Sequence, residues 1–165
     1  TIGAYYQILE DCLIAERIEP LTQSKTRKKL TKSEKFLFFD LGVRRLAAGE
    51  GIKLPKETLG ALFEQFVGLE LLRNVRTGNG TARVRFWRDP DGPEVDWVVD
   101  EEGVYIPVEV KWTENPAPGD IRHLEVFLSE YRSAKKGFLV CRAPRKVKLS
   151  DNVTALPWQS IGEIV

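Results

Sequence analysis

The chain has no methionine, a single histidine (His123) and only two cysteines, Cys12 and Cys141, in 165 residues. Two distant cysteines in apolar segments give no zinc-ligand spacing and no disulfide framework, and read as reduced, buried thiols in a cytoplasmic setting. One histidine leaves no Ser/His/Asp or Cys/His pairing to see, and a lone helix histidine is usually structural or exposed. The glycine-rich, Lys-Ser/Thr phosphate loop is also missing, which excludes nucleotide binding by that route. No apolar run approaches the roughly 20 residues that span a bilayer, and nothing resembles a signal peptide, so no membrane partner is expected. With Thr at position 1 and no methionine anywhere, the sequence reads as a piece of a longer protein.

What is present is an ordinary globular composition, 42% apolar and 30% charged, of a length that suits one principal domain with a real core. The net charge of +1 says little about partners, but the charges are segregated. Between Ser24 and Lys35 stand six basic residues, Lys25, Arg27, Lys28, Lys29, Lys32 and Lys35, against one acid. Arg142, Arg145, Lys146 and Lys148 make a second basic run. Between Asp89 and Glu102 lie seven acids and no base. Basic flanks around an acidic centre suit a protein that holds a phosphate backbone against metal-binding carboxylates; solvated loops are the plainer reading of either run.

Periodicity predicts an amphipathic helix over 2–15, carried by Ile2, Tyr5, Tyr6, Leu9, Leu13 and Ile14. A short strand over 35–39 follows the basic loop, and Asp40 is placed to cap a brief helix to Ala48. The longest helix is expected from Lys56 to Asn74, entered after Pro55 and apolar around much of its girth. Strands over 83–87, 94–99 and 104–111 form an antiparallel meander by connection length. A helix over 120–132, an apolar strand over 137–141, a strand over 153–156 and a helical turn opened by Pro157 complete the order. That order predicts an α/β fold, a mixed sheet flanked by helices, with the strand at 137–141 beside the meander through a crossover. The division expected is 1–34, a helix and basic loop ending a preceding module, and 35–165, the main domain.

Two strands carry the chemistry. In the strand at 106–112, Val108, Val110 and Trp112 share one face and Glu109 and Lys111 the other, because strand side chains alternate. Asp96 stands on the preceding strand. Two carboxylates and an ammonium drawn together suit a divalent cation. Each has a plainer alternative: Glu-x-Lys is a common tripeptide that makes cross-strand ion pairs, and Asp96 can face water at a sheet edge. Glu64 on the long helix competes with Glu70 as the helix acid, and the two do not share a face. Arg88 can meet a phosphate or pair with Asp89 or Asp91. Trp97 and Trp112 are expected in the core, opposite the acids.

A helix Glu, then a strand Asp, then Glu-x-Lys on the next strand resembles the PD-(D/E)xK nuclease superfamily. The words at 35–42 (KFLFFDLG), 59–67 (LGALFEQFV), 86–88 (FWR), 94–96 (EVD) and 108–111 (VEVK) resemble the C-terminal domain that follows an AAA-type ATPase module in many bacterial and archaeal proteins. The resemblance covers nearly the whole chain. It implies a restriction-endonuclease-like fold, a short N-terminal helical extension, DNA as substrate and an N-terminal ATPase module as partner. It implies Mg²⁺ or Mn²⁺ held by Asp96 and Glu109 with the Val110 carbonyl beside them, Lys111 serving the attacking water, and Glu64 completing the site directly or through water. Gly60, one helical turn before Glu64, leaves room there.

This sequence departs from the superfamily word at one point: Glu94 and Val95 separate Pro93 from Asp96. Two further readings stay open. A nuclease-like module of weak or absent activity could dock DNA or a partner for the ATPase. Alternatively the chain could assemble ATPase subunits, its first helix packed on the missing module.

Overall fold

The computed structural model describes residues 1–22, 33–51, 53–78, 80–90 and 92–165. Lys25, Arg27, Lys28, Lys29 and Lys32 of the first basic run lie outside the described residues, as does Asp91 of the acidic stretch.

Helix α1 (Ile2–Asp11) is shorter than its apolar period suggests. Leu13 takes φ +58°, with its N–H donating to the Glu10 carbonyl and that of Ile14 to the Leu9 carbonyl. These are the two reverse bonds of a left-handed helix stop, made here without the usual glycine. The chain therefore turns early and forms β1 (Ala15–Ile18), a strand the helical period concealed. β1 pairs antiparallel with β2 (Lys35–Phe38) in a two-stranded sheet. No residue of α1 is buried, although the Tyr6 ring stacks on Phe36 at 4.2 Å. Asp40 caps α2 (Leu41–Ala47) as expected, accepting from the Val43 N–H at 2.9 Å.

The main sheet has six strands: β3 (Arg83–Arg88), β4 (Glu94–Glu101), β5 (Val104–Val110), β6 (Gly137–Cys141), β7 (Val147–Lys148) and β8 (Val153–Pro157). Their spatial order is β3-β4-β5-β6-β8-β7. β3, β4 and β5 form the expected antiparallel meander, and β6 lies parallel to β5 through the expected crossover. β8 runs parallel to β6, and β7, too short to leave a period in the sequence, pairs antiparallel with β8. The turn from β4 to β5 is two residues, Glu102 and Gly103, both at positive φ, a conformation that matches strand twist and that Gly103 takes without cost.

Helix α3 (Lys56–Thr77) covers one face of the sheet and α4 (Arg122–Glu130), entered through a 3-10 turn at Pro118–Ile121, covers the other. Phe63, Val67, Leu71 and Val75, spaced four apart, put one stripe of α3 onto Val99, Val108, Val140 and Leu156. On the opposite face Leu124 and Phe127 of α4 pack with Val98, Leu139 and Ala155. At Gly68, α3 lies directly against the Trp97 side chain of the sheet. A Cβ there would lie 2.5 Å from Cζ2 of Trp97, so only glycine lets the indole lie against the helix.

Cys141 is buried as expected, but Cys12 is exposed because α1 has no buried face. Trp97 is buried at 1% exposure, whereas Trp112, past the end of β5, is 40% exposed. It is held by the Arg142 guanidinium, 4.2 Å from its ring centre, and by an edge contact with Phe63.

Candidate functional site

The site is built on an irregularity in β4. Arg85 pairs with Val98 and Trp87 with Val95, so β4 advances three residues where β3 advances two. The extra residue is a β-bulge, which re-aims side chains and increases local twist. It puts Val95 and Val98 under α4 while Trp97 and Val99 face α3, a split that strict alternation forbids. Asp96 lies within the bulge.

The β4–β5 ladder ends at the pair Trp97 and Val108. Beyond it the Val110 N–H donates not to a β4 carbonyl but to Asp96 Oδ2, at 2.8 Å. The next N–H, of Lys111, points the other way, to the Val140 carbonyl. Because a strand residue's N–H and C=O share an edge, the Val110 carbonyl opens toward Asp96.

Glu109 is 3% exposed and Asp96 9% exposed, the two buried charged residues among those described. Burial first, then the charges of Glu109 and Glu64, push the Asp96 carboxyl well above the ordinary carboxylate range; Lys35 and the Val110 N–H oppose this. Burial also raises Glu109, against the hydrogen bond and charge of Lys111. Lys111 Nζ lies 2.8 Å from Glu109 Oε1. Burial alone would lower the lysine, but Glu109, Asp96 and Asp120 raise it on balance, so it stays an ammonium. Glu109 Oε2 is buried and has no hydrogen-bond partner among the described residues.

The structure thus links Asp96 to Glu109 and Lys111 on one side and to Glu64 on the other. Glu64 does not stand open: Lys35 Nζ lies 2.8 Å from its Oε1. Glu70 points away and pairs with Arg73. A Cβ on Gly60 would meet nothing within 4 Å, in keeping with the room expected there. Among the described residues no group of three His, Cys, Asp or Glu side chains is placed to hold a metal.

Residues 59–161 match the family model described as Domain of unknown function (DUF4143). The chain belongs to the DUF4143 family. No curated protein matches it. Among solved structures, a chain of the refined half-complex from the tetradecameric assembly of Thermococcus gammatolerans McrB AAA+ hexamers with bound McrC is similar at 13% identity and a TM-score of 0.45. The match covers 93% of this chain and 59% of that one. At that score the likeness fixes neither fold nor partner.

Around this DUF4143 site the remaining charges are mostly paired. Arg88 meets Glu94 at 3.3 Å, and of the second basic run Arg142 pairs with Glu114, Lys146 with Glu163 and Lys148 with Asp151. His123 on α4 is close enough for its charge to favour ionised Glu109. Sequence reasoning placed Lys35 at the end of the basic run and the start of a strand, but not in the site. Its signal was its position, a lysine opening an apolar strand. No described helix is long and apolar enough to cross a membrane.

Proposed function

We propose that this DUF4143 domain is a divalent-metal-dependent DNA phosphodiesterase with a restriction-endonuclease-like arrangement of its mixed sheet. The observation that carries the reading is the bulge that brings Asp96 to the Val110 N–H at the end of β5, where the preceding residue, Glu109, has a buried oxygen with no partner among the described residues. Buried carboxylates are expensive unless paired, and two of them, with the charge of Glu109 acting on Asp96 and one oxygen unused, suit a cation. The donors are all hard oxygens: Asp96, Glu109 and the Val110 carbonyl. Mg²⁺ or Mn²⁺ suits such a set, because Mg²⁺ takes few protein ligands and keeps several waters.

A divalent ion there would supply charge stabilisation at the phosphate and a more acidic water. Lys111, 43% exposed at its side chain and tied to Glu109, reaches solvent at the same place. Its ammonium would orient the attacking water and offset charge developing on phosphorus. Trp112 follows directly, its exposed ring backed by Arg142, and offers a surface for a nucleotide beside the scissile bond. The likeness of the sequence words to domains that follow AAA-type ATPase modules makes such a module the proposed partner, with 1–34 as the join.

The test is cleavage of linear, circular and branched DNA with Mg²⁺ or Mn²⁺, with EDTA and Lys111→Ala as controls. Cleavage that needs metal and is lost in Lys111→Ala supports the reading; no cleavage of any substrate overturns it. One observation favours the second reading, an inert module that docks DNA or a partner. Glu64 is already neutralised by Lys35. Salt-sensitive DNA binding without cleavage would establish it.

A further inference from the structure

Lys35 is more than the end of a basic run. Its Nζ is 2.8 Å from Glu64 Oε1 and 3.5 Å from the main-chain oxygen of Asp96. The same atom lies 5.1 Å from the Phe86 ring centre and 4.9 Å from that of Trp97. Both rings are almost fully buried, at 2% and 1% exposure, so these walls do not move with solvent. An ordinary surface ion pair has one partner and is worth little. Here a carboxylate, a carbonyl and two aromatic faces converge on a single ammonium, an arrangement that favours a cation strongly. Trp97 adds a further tie, its indole N–H donating to the Glu64 carbonyl at 3.1 Å. The bulge that carries Asp96 also presents the Asp96 carbonyl and the Trp97 ring to Lys35, so one irregularity serves both positive charges.

We propose that Lys35 is a resident cation of the site. It holds, from within the chain, the place between Glu64 and Asp96 that a second divalent ion would otherwise take, and it restricts the site to one divalent ion on Asp96 and Glu109. The inference rests on the metal-dependent reading above. An ammonium brings one positive charge and no open coordination position, so it neutralises Glu64 without recruiting a second water. Glu64 is then a positioning residue for Lys35 and not a metal ligand. Lys35 lies on β2, outside the main sheet, so the two-stranded sheet takes part in the site through this one side chain.

The experiment is a Mn²⁺ titration followed by calorimetry and by the electron-spin signal of free Mn²⁺, on the whole chain. Lys35→Met keeps the aliphatic stem over the rings and removes the charge. The expected stoichiometry is one Mn²⁺ in the parent, two in Lys35→Met, and one again in Lys35→Met with Glu64→Gln. One Mn²⁺ in both the parent and Lys35→Met overturns the inference, as does a parent chain that already binds two; in both the metal reading survives. A parent that binds none while Lys35→Met binds one keeps Lys35 as resident cation but removes the native metal site. No binding in either removes both. Should Lys35→Met not fold, Glu64→Gln alone decides. The parent stoichiometry retained supports a non-ligand Glu64, and metal binding lost overturns it.

Discussion

Asp96 Oδ2 accepts the Val110 N–H at 2.8 Å, so a side chain of β4 replaces the backbone acceptor where the β4–β5 ladder stops. That one bond both ends the pairing and fixes a carboxylate at the opening between the strands. It also ties the site to strain in electrostatics, because the anchored group is buried beside Glu109 and within reach of Glu64.

The first prediction follows from that cost. Asp96 and Glu109 both hold protons more tightly in the folded chain than in the unfolded one, chiefly because burial disfavours their charge. The folded state therefore binds more protons, and metal-free stability falls as pH rises from the ordinary carboxylate range through the raised values. Asp96→Asn keeps an acceptor for Val110 and removes the charge. In EDTA at pH 8 it is expected to be more stable than the parent by on the order of 1–2 kcal/mol. The gain shrinks toward pH 5. Urea unfolding at both pH values measures it, and a less stable Asp96→Asn at pH 8 would count against a charge-burdened site.

Much of the architecture was legible because it rests on local rules. The meander follows from two short connections, the α3 stripe from residues four apart, and the α2 start from the Asp40 cap. β1 was not legible, because α1 stops on Leu13 in a left-handed conformation that no glycine announced. The candidate residues were legible as neighbours, since Asp96 and Glu109 sit on adjacent strands and Lys111 just past the end of the second. Their geometry was not, since the β4 bulge is a relation between two strands and leaves no mark in either sequence alone. Lys35 escaped for the same reason: its four partners come from α3, β3 and β4, all distant in the chain.

Gly68→Ala tests how closely α3 must approach the sheet. Its new Cβ would sit 2.5 Å from Cζ2 and 2.8 Å from Cε2 of Trp97, a ring with no room to retreat at 1% exposure. The helix must move outward, at a cost of roughly 1–3 kcal/mol for overpacking. Because the Trp97 N–H holds the Glu64 carbonyl, the shift should also loosen the Lys35–Glu64 pair. Thermal unfolding and tryptophan fluorescence report the two effects. Unchanged stability would mean that the contact is not tight.

The cysteines should differ sharply in reactivity. Cys12 is exposed at the end of α1, while Cys141 is fully buried in β6, with its Sγ 3.7 Å from the Leu156 carbonyl, and burial pushes its thiol upward. The thiolate is the reactive form, so Cys141 is doubly protected. An aromatic disulfide reagent should modify one thiol at once and the second only in denaturant. Two fast thiols in the folded chain would contradict the burial of β6.

Metal binding, finally, should release protons. A divalent ion binds the ionised carboxylates, and both candidates are held toward the protonated form by burial in the metal-free chain. Lowering the pH therefore weakens Mn²⁺ binding before it unfolds the protein, and the number of protons released grows as the pH falls toward the raised values. Calorimetric titrations in two buffers of different ionisation enthalpy measure that number directly. Lys111 sharpens the test. It stabilises ionised Glu109 through the 2.8 Å contact, so Lys111→Ala raises Glu109 further and increases proton release at a given pH. Asp96→Asn should reduce it, because one of the two titrating groups is gone. Binding heats independent of buffer at pH 6, in parent and variants alike, would show that the ion is not held by these carboxylates.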